Sequence, residues 1–160
     1  MKFYMERFYL RKATIQDVPP IHGLLMKYSR QELLLPRSYN ELYSHLRDFF
    51  VIDSSEKTMI KGFCALTITW ENLAEIRSLV VDEPFQRLGW GRRLVEACLS
   101  EALMLGIYKV FTLTYQTEFF VSLGFNEVKK EVLPQKVWAD CLHCPKFPDF
   151  CDEVAMLLEL

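Results

Sequence analysis

A mixed, mostly antiparallel β-sheet with helices on both faces is the fold class that this sequence predicts. Three observations lead there. Strand-like segments outnumber helical ones along the chain. Only one strand–helix–strand crossover, over 74–114, has the pattern of a parallel connection. The helical segments are amphipathic, so each has one apolar stripe to bury against a sheet.

The elements follow in order. Residues 8–12 read as a first strand. Asp17 is placed to cap a helix, Pro19 and Pro20 fit its first turn, and Ile21, Leu24, Leu25 and Tyr28 form its apolar stripe. Ser38-x-x-Glu41 has the spacing of a capping box, and Leu42, Leu46 and Phe49 recur at helical period. Residues 50–53, a polar turn through 54–57, and residues 59–69 read as a hairpin. Residues 74–81 are β-branched and half-alternating, the pattern of a buried strand.

The helix over 92–105 puts Leu94, Cys98, Ala102 and Leu105 on one face, and Gly106 ends it in the left-handed region. A strand over 108–114 follows, then a short helix over 117–123 stopped by Gly124. Residues 125–133 read as a strand, 134–151 as a Pro- and Cys-rich segment, and 153–160 as a last strand. With no repeat, low-complexity tract or linker, the 160 residues read as a single domain, 1–160, long enough to bury a core.

Composition narrows the function classes. A formal charge of −2 offers no electrostatic case for a nucleic-acid partner. No apolar run approaches a membrane span, and the first seven residues are too short and too charged for a signal peptide. A cytoplasmic location is the expectation. There the five cysteines are expected as thiols or metal ligands rather than disulfides.

The most informative stretch is Gln86-Arg87-Leu88-Gly89-Trp90-Gly91, between the strand over 74–81 and the helix that begins near Arg92. A Gly-containing loop that leaves a strand and opens a helix aims several backbone N–H groups one way. With the positive end of the helix dipole they form an anion site suited to a pyrophosphate. Taken alone, the pattern also suits an ordinary strand-to-helix turn. It lacks the Lys-Ser/Thr of a Walker loop and the first Gly of a dinucleotide fingerprint.

The wider context resembles the GCN5-related N-acetyltransferase (GNAT) family. The residues that carry the resemblance are Leu79-Val-Val-Asp-Glu-Pro84, Gln86-x-x-Gly89-x-Gly91, the helix to Leu105, the strand over 108–114, and Phe119-Phe120 leading to Gly124-Phe125. The opening Leu10-Arg-Lys-Ala-Thr-x-x-Asp17 resembles the family's first strand and helix. The resemblance implies that acetyl-CoA is the co-substrate. It implies that amides from Arg87 to Arg92, including those of Leu88, Gly89, Trp90 and Gly91, hold the pyrophosphate next to Gln86. It implies that Leu79, Val80 and Val81 pair with the pantetheine through main-chain bonds. Arg87, Arg92 and Arg93 add positive charge near the phosphates, or form a solvated basic patch. Trp90 covers the loop or packs on its neighbours.

Within the family the chain looks most like short N-acetylglutamate synthases and the acetyltransferase domain of their longer relatives. Leu34-Leu-Pro-Arg-Ser38, Gly62-Phe-Cys-Ala-Leu66, Glu75-x-x-x-Leu79, Leu113-Thr-Tyr-Gln-Thr117, Leu133-Pro134 and the downstream cysteines carry that likeness. It implies acetyl transfer to the α-amine of L-glutamate or a similar amino acid, the first step of arginine biosynthesis.

Such a reaction needs a neutral amine, a donor for the tetrahedral oxyanion and a proton for the departing thiolate. Glu75 is the candidate base, acting through water. Its alternative role is a strand carboxylate paired with Arg77, two residues on along the same face. The resemblance implies a Tyr in the short helix as the thiolate's donor, but this chain has Phe120 there. Thr114 is then the first candidate acid and Tyr115 the second. A dicarboxylic acceptor needs cationic anchors, and Arg37 and Lys136 match the synthases' carboxylate-binding positions, with Arg77 as a third contact.

Cys141-x-x-Cys144 and Cys151 have the spacing of a structural zinc site, with His143, Asp149 or Asp152 as the possible fourth ligand. Packed thiols and a transient disulfide are the alternatives. Cys64 and Cys98 read as packing residues, and His22 and His45 as histidines without partners. Three functions stay open: an amino-acid N-acetyltransferase with a small-molecule acceptor, for which a homodimer is an option; an N-acetyltransferase for a protein N-terminus or another small amine; and a non-catalytic acyl-CoA-binding module.

Overall fold

The computed structural model describes residues 7–30, 36–55, 59–134 and 152–160. The strands are β1 (Phe8–Lys12), β2 (Phe49–Ser54), β3 (Gly62–Trp70), β4 (Leu73–Val81), β5 (Lys109–Thr114), β6 (Asn126–Val128) and β7 (Val154–Glu159). The helices are α1 (Val18–Ser29), α2 (Tyr39–Ser44), α3 (Trp90–Met104) and α4 (Thr117–Ser122). The strands form a sheet in the order β1-β2-β3-β4-β5-β7-β6. β4 and β5 run parallel, Ala74 opposite Val110, whereas β1 with β2, β2 with β3, β5 with β7 and β6 with β7 are antiparallel. This is the expected mixed, mostly antiparallel sheet.

The chain groups into two compact units. The first holds the described residues up to Leu66 together with Ser78–Cys98. Its core joins the α1 stripe, Ile21, Leu25 and Tyr28, to Leu42 of α2 and to Phe49, Val51 and Phe63 of the sheet. The Asp17 carboxylate does not cap α1. It accepts two hydrogen bonds from the Arg11 guanidinium, at 2.7 and 2.8 Å, and one from the Thr14 N–H at 2.7 Å. Arg11 also donates to Asp53 at 3.0 and 3.2 Å, so one cation ties β1 to β2 and to the approach to α1. Cys64 and Cys98 are fully buried here, as expected of packing residues, and burial together with their mutual hydrogen bond pushes the Cys64 thiol up.

The second unit comprises Thr67–Arg77 and the residues from Leu99 onward. Leu73, Phe111, Leu133 and Ala155 form its apolar cluster. α3 ends at Met104, Gly106 follows at φ +78°, and Ile107 returns an N–H to the Ala102 carbonyl at 2.8 Å. Gly124 closes α4 in the same way at φ +95°.

Several expectations are corrected. Leu46 lies in a 3₁₀ turn and Phe49 opens β2, so the helical period over 42–49 ends after one element. A short apolar run fits both periods, and pairing of β2 with β1 and β3 decides for strand. Leu105 is 54% exposed because α3 stops one residue earlier. The strand expected over 125–133 shortens to Asn126–Val128, followed by a 3₁₀ turn, Lys130–Val132. His22 and His45 do have partners. His22 stacks on Tyr39 at 4.2 Å between ring centroids, and the His45 Nδ1 stands 3.5 Å from Asp48.

Candidate active site

In the first unit the Gly loop leaves β4 and enters α3. Arg87 at φ +63° and Gly89 at φ +87° turn the chain through two left-handed residues. A Cβ at Gly89 would meet nothing within 4 Å, so the space beside this residue is open. The first helical bond of the turn runs from the Arg93 N–H to the Gly89 carbonyl at 3.2 Å. The N–H groups of Trp90, Gly91 and Arg92 precede it, the donors a helix N-terminus offers to an anion. The Gln86 side-chain amide donates to the Val81 carbonyl at 2.9 Å and so braces the loop on the strand end.

The basic residues divide. Arg93 lies over the Trp90 ring at 4.3 Å, and Arg92 stands 3.7 Å from Glu96 one turn along. The Trp90 indole also meets the edge of Phe8 at 6.4 Å between centroids, so packing is part of its role. Arg87 and Leu88 are exposed.

Within β4, Ser78 adopts φ +55°. A non-glycine residue in the left-handed region interrupts an extended strand just ahead of residues 79–81. The Arg37 guanidinium reaches this point and donates to the Ser78 hydroxyl at 3.5 Å. Arg37 is only 4% exposed, lies over the Phe49 ring at 5.2 Å, and keeps Nε 3.8 Å from Glu41. A nearly buried cation keeps a strong field because little water screens it. Its position follows from Ser38, whose hydroxyl accepts the Glu41 N–H at 3.2 Å and starts α2 directly after Arg37.

The second unit holds the remaining described candidates. Glu75 and Arg77 are half-buried, with Arg77 Nε 3.6 Å from Glu75 Oε1. The neighbouring β5 is locked to this strand by the Thr112 hydroxyl, which donates to the Ile76 carbonyl at 3.0 Å. The Thr114 hydroxyl accepts the Gln116 N–H at 2.8 Å as the chain turns into α4. The Tyr115 hydroxyl donates to Asp152 at 2.7 Å. Phe120, at the position that lacks the hydroxyl, is buried edge-on against Phe125.

A family model described as the acetyltransferase (GNAT) family matches residues 16–125, which include the loop, Arg37, Glu75 and Thr114. The chain belongs to this family.

This GNAT enzyme is 42% identical over 94% of its length to an uncharacterized N-acetyltransferase of Chlorobaculum tepidum, covering 96% of that protein. It is 34% identical over 75% of its length to an amino-acid acetyltransferase of Mycobacterium tuberculosis, covering 69% of that protein. A solved N-acetylglutamate synthase from Neisseria gonorrhoeae, complexed with coenzyme A and N-acetyl-glutamate, is similar with a TM-score of 0.84 and 26% identity. That likeness covers 96% of this chain and 35% of the synthase, so the GNAT chain spans about a third of the synthase's length.

Lys136, Cys141, Cys144 and Cys151 lie outside the described residues. Among the described residues, no group of three or more His, Cys, Asp or Glu side chains could hold a metal, and no helix is long and apolar enough to cross a membrane. Sequence reasoning missed Ser78 beside Arg37, because nothing local marks it as left-handed.

Proposed function

We propose that this GNAT enzyme transfers the acetyl group of acetyl-CoA to the α-amine of an amino acid, with L-glutamate the preferred acceptor. The observation that carries this reading is the likeness, over 96% of the chain, to a synthase whose structure holds coenzyme A and N-acetyl-glutamate. The reaction would be the first step of arginine biosynthesis, in the cytoplasm, with residues 1–160 acting as one domain and two copies forming a homodimer.

In this mechanism the amides of residues 87–92 receive the pyrophosphate beside Gln86, and the main chain of Leu79, Val80 and Val81 pairs with the pantetheine. The open space beside Gly89 supports that assignment. Arg37, Arg77 and Lys136 orient the acceptor's carboxylates. Near neutral pH an α-amine is largely protonated and must lose a proton before it attacks, and Glu75 takes that proton through water. The nitrogen then bonds to the thioester carbonyl carbon, the tetrahedral oxyanion collapses, and the C–S bond breaks. Thr114, or failing it Tyr115, donates a proton to the leaving thiolate and regains one as the bonded nitrogen gives up its second proton, leaving a neutral amide and a free thiol. Zinc held by Cys141, Cys144 and Cys151 would be a structural addition outside this chemistry.

The test is thiol release from acetyl-CoA across a panel of free amino acids, small amines and N-terminal peptides. The highest kcat/KM is expected with L-glutamate. Turnover of another acceptor, but not glutamate, would reject the acceptor assignment. Coenzyme A binding with no turnover on any amine would reject the catalytic reading itself.

A further inference from the structure

Asp82 occupies the N-cap position of the turn Glu83–Phe85, which leads into the Gly loop. An aspartate there ordinarily accepts a first-turn N–H with its own carboxylate. Asp82 makes no such bond. Its Oδ1 instead accepts the Tyr28 hydroxyl at 3.0 Å and the Lys27 ammonium at 2.8 Å, both from the last turn of α1. The Glu83 N–H then donates to the Tyr28 hydroxyl at 2.9 Å. A residue of α1 thus braces the start of this turn, and its one hydroxyl both donates to Asp82 and accepts from Glu83.

Packing fixes where that hydroxyl sits. Tyr28 is 8% exposed and belongs to the core of its unit. The Asp82 N–H is held in turn by the Lys61 carbonyl at 2.8 Å, so the segment is anchored through backbone as well as side chain. Five residues beyond Asp82 the chain passes through left-handed Arg87 and then Gly89. A loop that carries a non-glycine residue in that region keeps its shape only when its ends are over-determined.

We propose that Tyr28 is a positioning residue for the coenzyme. Through Asp82 and the Glu83 N–H it holds the entry to the 86–92 loop, so the loop's amides meet the pyrophosphate already arranged. A pre-arranged site binds more tightly because less ordering remains to be done on binding. This inference rests on the assignment of that loop as the pyrophosphate site.

Tyr28→Phe keeps the ring and removes only the hydroxyl. Coenzyme A affinity measured by calorimetry, with steady-state kinetics alongside, tests the inference. The dissociation constant for coenzyme A and the KM for acetyl-CoA should both rise about tenfold, the net worth of one hydrogen bond. The kcat and the KM for the acceptor should stay within about twofold, a split that general structural damage would not produce. Asp82→Ala should behave likewise, and it serves as the second variant if Tyr28→Phe folds poorly. Asp82→Asn keeps an acceptor oxygen for Tyr28 and should retain most of the affinity. Unchanged coenzyme A affinity in both Tyr28→Phe and Asp82→Ala overturns the inference. So does an equal loss across all kinetic constants.

Gly89→Ala separates this inference from the assignment beneath it, because it strains the loop directly. If Gly89→Ala binds coenzyme A as tightly as the parent, the loop assignment fails and the inference falls with it. If Gly89→Ala loses affinity and Tyr28→Phe does not, only the positioning role is refuted.

Discussion

Arg77 Nε stands 3.6 Å from Glu75 Oε1 along one face of β4. The pair joins the proposed base to a proposed acceptor contact, and the two assignments make different kinetic predictions. Glu75→Gln keeps shape and removes the base, so kcat with glutamate should fall about 100-fold or more while the KM for acetyl-CoA holds. Arg77→Gln should act mainly on the acceptor KM. A Glu75→Gln enzyme with native kcat would leave Glu75 a structural partner of Arg77 and nothing more.

Arg37 is almost fully buried beside Ser78 and Phe49. If it receives an acceptor carboxylate, Arg37→Met should cost about 2 kcal/mol in kcat/KM for glutamate, the order of a hydrogen bond to a charged group. The loss should fall on KM. Comparison with an acceptor that lacks the side-chain carboxylate reads the specificity, because Arg37→Met should narrow the gap between the two substrates. A gap of unchanged size would refute the assignment.

The Arg11–Asp17 pair sets the acid limit of stability. Burial alone would raise the Asp17 carboxyl, but the Arg11 and Thr14 hydrogen bonds outweigh it and hold it below its ordinary value of 3.8. A carboxyl depressed in the folded state adds stability that is fully present above the ordinary value and lost as pH falls through the folded one. The melting temperature should therefore be flat near neutral pH and fall once the pH drops below roughly 4. Arg11→Met strands two buried carboxylates and should cost about 3 kcal/mol at neutral pH. Thermal melts of both proteins from acid to neutral pH check the slope and the offset.

Gly62 opens β3 where β4 passes close by. A Cβ there would sit 2.7 Å from the Val80 carbonyl oxygen and 3.3 Å from the Val81 Cα, both backbone atoms with little room to yield. Gly62→Ala should destabilise the protein by about 1–3 kcal/mol, the usual cost of overpacking. Residues 79–81 are proposed to pair with the pantetheine, so coenzyme A affinity should weaken as well. A melting curve and a coenzyme A titration on one preparation test both effects.

The legible parts of the fold were those with local signatures. The strand-to-helix loop with Gly89, the left-handed stops at Gly106 and Gly124, and the stripe of Leu94, Cys98 and Ala102 each follow from a few neighbouring residues. Leu46 and Phe49 were misread because a short apolar run satisfies two periods, and only pairing with distant strands selects one. Arg37 was legible as a cation before a helix. Its burial was not, because burial depends on Phe49 and Ser78 arriving from elsewhere in the chain.

By itself the sequence determined the order of the elements, the parallel crossover over 74–114 and the family, since all three are written in contiguous patterns. Tertiary structure alone decided that the Asp82 carboxylate would accept the Tyr28 hydroxyl and that Ser78 would turn left-handed inside a strand. The physical reason is the range of the interactions. Helix caps and glycine turns satisfy hydrogen bonds among near neighbours, whereas the Tyr28 hydroxyl meets a carboxylate 54 residues away, and only packing of the core brings the two within reach.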